Sequence, residues 1–227
     1  MEEIRTYYVD AVFCIDGTKC MATYMPDIKD AIKNLPQRME ILSEKGKWRA
    51  GALRIKIIVF RDYTEKYAPP MEETKFFTIP DEMDALCAFV DGIEVAGVGS
   101  QNGRSALEAI ALAIKSDWTA KEKYKRNIII PITENAALPL QTGADSSEYP
   151  EGMPKTLGEL GAWWEGVDAN FVGSYKPNAG RLLVFAPNVE PWMELAAWNR
   201  YWHTPIDSVF GVEEEFGETL ADLLFGV

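Results

Sequence analysis

Apolar and polar positions along this chain change period again and again, and the changes mark its elements. Residues 7–15 (YYVDAVFCI) are mostly apolar and predict a strand, and Asp16-Gly17-Thr18-Lys19-Cys20 predicts a short polar loop after it. Ile28, Ile32, Leu35, Met39 and Leu42 then recur at spacings of four and three, one face of a helix reaching about Glu44. Pro26 suits its first turn, whereas Pro36 predicts a kink or a shifted start, because proline removes one hydrogen bond and crowds the preceding turn. Residues 53–60 predict a second strand, 74–79 a short edge strand, and 81–90 a helix with Met83, Leu86, Cys87 and Val90 on one side. Cys87 is expected to be a buried small apolar residue. A glycine-rich loop over 97–103 leads to a helix over 105–116, whose Ser105 and Glu108 have the spacing of a capping box.

The most apolar strand is expected at 127–132, in a central parallel position buried on both faces. After a turn-rich loop over 141–154 come a helix at 156–164 and a strand at 181–186. Trp192, Leu195, Trp198 and Trp202 are spaced for a helix over 191–202; a last strand is expected at 206–210 and a last helix at 213–225, whose Glu213, Glu214 and Glu215 favour its positive amino end. The alternation predicts an α/β fold, a mostly parallel sheet with helices on both faces, in one domain over 1–227. Tryptophans 163, 164, 192, 198 and 202 crowd the last third, and burial against the sheet is the favoured expectation for them over a binding surface.

Charge narrows the partners. A formal net charge of −12 disfavours nucleic acid and anionic membranes and leaves a basic protein partner open. No apolar run is long enough to span a bilayer, and the opening MEEIRTYY lacks the basic and apolar regions of a signal peptide, so a cytoplasmic location is expected. Three cysteines, at 14, 20 and 87, make no disulfide framework, and a single histidine, His203, makes a structural zinc site improbable.

Candidate chemistry gathers at the carboxyl ends of the strands, the edge where open α/β sheets bind ligands. Asp16, Thr18 and Cys20 stand at i, i+2 and i+4, a spacing that turns alternate side chains toward one point and can hold a hard cation through oxygen. Thr133 and Glu134 follow the central strand, and the turn Arg61-Asp62-Tyr63, which closes the second strand, is expected to be structural.

On Asp16-Gly17-Thr18-Lys19-Cys20, together with LRIKIIVFRDY (53–63), GVGSQNGRSALEAIALAIKSDWT (97–119) and RNIIIPITENAALPL (126–140), the chain resembles bacterial cytoplasmic von Willebrand factor type A domains over nearly its whole length. The resemblance implies a three-layer, Rossmann-like fold with one antiparallel edge strand. It also implies non-enzymatic binding of a protein through a metal-ion-dependent adhesion site for Mg²⁺ or Mn²⁺, ligated through Asp16, Thr18, Ser100 and Glu134. Cys20 stands where the family has a second serine, and its soft sulfur suits Mg²⁺ poorly. A second resemblance, of residues 12–18 (VFCIDGT) to haloacid dehalogenase-like phosphotransferases, places Cys14 at the nucleophile position, where that family has an aspartate. A third reading is a metal-independent scaffold that binds through its outer faces.

Overall fold

The computed structural model describes residues 5–45, 48–65, 68–100, 102–120, 122–171, 173–208 and 215–225. Its core is a twisted sheet that starts with β1 (Arg5–Asp16), flanked on one side by β2 (Trp48–Phe60) and on the other by β5 (Lys125–Ile132). Beyond β5 lie β6 (Gly180–Phe185) and β7 (Tyr201–Thr204), all in parallel. Two short strands, β3 (Met71–Glu73) and β4 (Phe77–Ile79), pair antiparallel to β2.

Alternation along the strands builds the layers. Val9, Ala11, Phe13 and Ile15 of β1, with Ile128, Ile130 and Ile132 of β5, meet α1 (Met25–Lys45), α2 (Met83–Asp91) and α5 (Glu215–Phe225). Val12 and Cys14, with Ile129, Leu182 and Val184, face α3 (Ala106–Ile114) and α4 (Leu157–Glu165). Ile128, Ile129, Ile130 and Ile132 are all fully buried. At roughly 1.5–3 kcal/mol per buried isoleucine side chain, this favours a central position for β5 over any edge. The fold is thus three-layered α/β with a mostly parallel sheet, as the alternation predicts. Helix α1 carries Pro36 inside it and starts one residue before Pro26.

Several elements depart from the pattern. Of the edge strand expected at 74–79 only β4 (Phe77–Ile79) forms; β3 precedes it, and between them Thr74 leaves the ladder, its backbone N–H donating to Ile57 O at 3.0 Å and its hydroxyl accepting from Ile57 N at 3.0 Å. The capping box does not form. Ser105 makes no side-chain cap and instead accepts a long bond from Tyr63 N at 3.4 Å, while Glu108, 1% exposed, accepts from the Tyr149 hydroxyl at 2.9 Å. A working cap opens α4 instead, where Thr156 accepts from Glu159 N at 3.1 Å and Glu159 accepts from Lys155 N at 2.7 Å.

The helix expected at 191–202 is replaced by a 3₁₀ turn (Glu194–Ala197) followed by β7. Pairing with β6 uses the backbone groups a helix would need: Leu182 N donates to Arg200 O at 3.0 Å, and Arg200 sits at φ 58° to redirect the chain. Trp192 and Leu195 are buried but Trp202 is 41% exposed, so the spacing imitated a helical face that does not exist. Trp163 and Trp164 are buried as well, which leaves burial the main role of the late tryptophans.

In place of the last strand, Ile206–Ser208 forms a 3₁₀ turn; residues 209 and 210, and the glutamates at 213 and 214, lie outside the described residues. Cys87 is half-buried where full burial was expected, because α2 lays Leu86 and Val90 on the sheet and turns position 87 partly outward. Among the described residues, no helix is long and apolar enough to cross a membrane.

Candidate functional site

Sheet order decides where a site can form. From β1 the chain moves to β2 on one side and later crosses to β5 on the other, so the loops after β1 and β5 part at their carboxyl ends and leave a switch point between them. Asp16 ends β1 there, fully buried, and Thr133 follows β5, also fully buried. The Thr133 hydroxyl donates to Asp16 Oδ2 at 2.7 Å and joins the two loops across the switch point.

The other oxygen of Asp16 holds its own loop. Thr18 N and Thr18 Oγ1 both donate to Asp16 Oδ1, at 2.9 and 2.6 Å. Since that hydroxyl proton goes to Asp16, the 2.9 Å contact between Thr18 Oγ1 and Cys20 Sγ has the thiol as donor. Arg104 Nε donates to the same Thr18 Oγ1 at 3.1 Å, and with that both lone pairs of the oxygen are taken.

Arg104 is the residue that the sequence reading missed. It is 4% exposed and lies at the mouth of α3, with Nε 3.9 Å from Asp16 Oδ2. Each of its five N–H donors has an acceptor. Beyond Thr18, Nη1 donates to Ser100 O at 2.5 Å and to Gly103 O at 2.9 Å, and Nη2 to Val98 O at 3.0 Å and to Cys20 Sγ at 3.7 Å. Its backbone pairs with the loop after β5, through Arg104 N to Ala136 O at 3.0 Å and Leu138 N to Arg104 O at 2.7 Å. The signal in the sequence was one charged residue between a glycine-rich loop and the apolar run of α3.

The surrounding groups brace this centre. Asp62, 1% exposed, accepts from Ser100 N at 3.0 Å, and Glu65 accepts from Val98 N at 2.9 Å and Gly99 N at 2.5 Å. Arg61, 4% exposed, donates to the carbonyls of Gly17, Pro69 and Glu94 and to Glu72, so the Arg61-Asp62-Tyr63 turn is structural in its contacts. On the far side Asn135 Nδ2 donates to Cys20 Sγ at 3.1 Å, and Trp192 Nε1 holds Asn135 O at 2.8 Å. Burial, and then the nearby Asp16 carboxylate, push the Cys20 thiol up from its ordinary pKa.

Of the four residues expected to ligate a metal, Asp16 and Thr18 are brought together. Ser100 meets the centre through its backbone, while its hydroxyl accepts from Asn102 N at 3.1 Å. Glu134 stands half-buried one residue past Thr133, and it is Thr133 that contacts Asp16. The donor set does not suit a divalent cation. The Thr18 oxygen has no lone pair left, Cys20 contributes sulfur, and a guanidinium already stands beside the Asp16 carboxylate. Among the described residues, no three of His, Cys, Asp and Glu cluster for a metal. Cys14 lies fully buried against α3, its Sγ 3.7 Å from Ala109 O, and burial pushes its thiol far up, which leaves it no thiolate for phosphoryl chemistry.

No protein-family model matches the sequence, and no curated protein matches it. Solved structures do match. Among them is the crystal structure of the pilus adhesin SpaC from Lactobacillus rhamnosus GG, at a TM-score of 0.56 and 9% identity over 99% of this chain and 31% of that one. The open conformation of the same adhesin matches at 0.54 and 11%, over 99% and 30%. The likeness is one of fold. This chain spans about a third of the length of those adhesin chains.

Proposed function

We propose that this chain is a non-enzymatic protein-binding domain of the von Willebrand factor type A kind, engaging its partner at the carboxyl edge of the sheet without a divalent cation. The observation that carries this reading is the joining of three loops, 16–20, 97–104 and 133–138, into one braced rim through Asp16 and Arg104. A rim held this firmly loses little conformational freedom on binding, which favours recognition. On it Val98 is 69% exposed, with Lys19 and Asn102 exposed nearby in sequence. The two solved structures described above are of a pilus adhesin, which agrees with a binding role, and the buried Cys14 is poorly placed as a phosphoryl-transfer nucleophile.

A photocrosslinking residue at position 98 tests this, with position 167 as the control. Val167 is equally open, 74% exposed, but follows α4 at the opposite edge of the sheet. The expected result is one discrete protein adduct from position 98, unchanged by EDTA, and none from 167. Equal adducts from both positions, or an adduct that EDTA abolishes, would contradict the proposal.

A further inference from the structure

We infer that Arg104 is the resident cation of this site: its guanidinium stands in the place and charge role that the family resemblance gives to a metal ion, and it leaves an oxygen-lined cavity when removed. The inference concerns the same site as the proposed function, but it rests on the geometry and its readouts need no partner.

Three observations converge on it. A buried carboxylate needs a countercharge, and the cation nearest Asp16 among the described residues is Arg104, itself buried. The acceptors around the guanidinium are mostly hard oxygens, namely the carbonyls of Val98, Ser100 and Gly103 and the Thr18 hydroxyl, a set typical of a cation shell. The glycine-rich loop is also shaped around this group. Gly99 sits at φ 67°, and a Cβ there would overlap the Arg104 guanidinium. The planar fork with five donors answers every one of these acceptors at once, which a lysine ammonium with three donors could not do.

Removing the side chain as Arg104→Ala therefore takes the countercharge from Asp16 and an N–H donor from the Thr18 hydroxyl and from three carbonyls, around a hole of guanidinium shape. The experiment is a thermal-shift series on wild type, Arg104→Ala, Arg104→Lys and Arg104→Gln, with titrations of Mg²⁺, Mn²⁺ and guanidinium at low millimolar concentration. Wild type is expected to show no shift with either metal and no Mn²⁺ binding by electron paramagnetic resonance. Arg104→Ala is expected to lose about 6–20 °C of thermal midpoint, as breaking a buried pair in a chain of this size implies. Guanidinium should then raise the midpoint of Arg104→Ala saturably, because it binds only the folded variant, and should leave wild type without a gain.

Saturable binding of Mn²⁺ to wild type would overturn the inference, and so would an Arg104→Ala protein indifferent to guanidinium, which would reduce Arg104 to a loop fastener. Should Arg104→Ala fail to fold, Arg104→Lys and Arg104→Gln decide between charge and shape. Lysine retaining more stability than glutamine supports a cation role, and the reverse order refutes it.

Discussion

Replacing Glu108 with glutamine should change how stability depends on pH, and the structure gives the size of the change. Glu108 lies on α3 with 1% of its surface exposed; one carboxyl oxygen accepts from Tyr149 and the other, Oε2, is buried with no hydrogen-bond partner. Burial, the largest cause, raises its pKa from the ordinary 4.5 to about 7, and the Asp62 carboxylate adds to the rise. Between those two values the folded protein keeps a proton that the unfolded chain releases. Stability therefore falls as pH rises through this window and is level outside it, by about 3 kcal/mol in all.

In Glu108→Gln that contribution is gone, while an acceptor for Tyr149 remains. Urea unfolding of both proteins from about pH 5 to about pH 8 measures the difference. Near pH 5 the two should differ little, and by pH 8 the variant should have gained about 3 kcal/mol relative to wild type. Parallel pH profiles would refute the reasoning, because Glu108 would then titrate alike in both states.

Asp10, 2% exposed, accepts from Arg54 Nε and Nη2 at 2.8 and 2.6 Å and from Thr119 N at 2.6 Å. Asp10→Ala takes the carboxylate from a guanidinium that keeps the Asp117 carbonyl, and the acceptor from Thr119 N; it should cost about 2–3 kcal/mol in urea unfolding, so a loss under about 1 kcal/mol would count against that pair. Gly103→Ala places a Cβ 2.7 Å from Ala136 O at φ 141° and should destabilise by more than Gly152→Ala, where φ is 66° but the space is open; the latter should lose roughly 1 kcal/mol. With a thiol reagent, the half-buried Cys20 and Cys87 should label in the native protein and Cys14 only on global unfolding; native labelling of Cys14 at a comparable rate would disprove its enclosure.

Much of the fold could be read from local pattern. The isoleucines at 128, 129, 130 and 132 announce a strand covered on both faces, and the helical face from Ile28 to Leu42 announces α1, since burial on one side repeats with the period of the element. The late tryptophans misled because large aromatic side chains three and four apart also occur where a turn meets a strand, and pairing between β6 and β7 overrides local spacing. At the site, Asp16 and Thr18 were legible as polar residues after an apolar strand. Arg104 was not, because its acceptors are backbone carbonyls of one loop and a hydroxyl 86 residues away, and neither leaves a mark in composition. Thr133 was noted only by its position, and its bond to Asp16 depends on β1 and β5 being neighbours, which sheet order alone decides.

The carbonyls that embrace Arg104 carry one more consequence. A site read through main-chain oxygens does not depend on which side chains its loop displays, provided that the backbone keeps its path. Over the described residues 97–100, 102 and 103 that path is held at glycines 97, 99 and 103, all at positive φ, and by Asp62 and Glu65 accepting from the amides of Val98, Gly99 and Ser100. The outward positions, Val98 above all, are free to vary. The loop thus separates what it is built from and what it shows: related chains, or an engineer, could rewrite the displayed residues to change the partner while the charged centre beneath stays untouched.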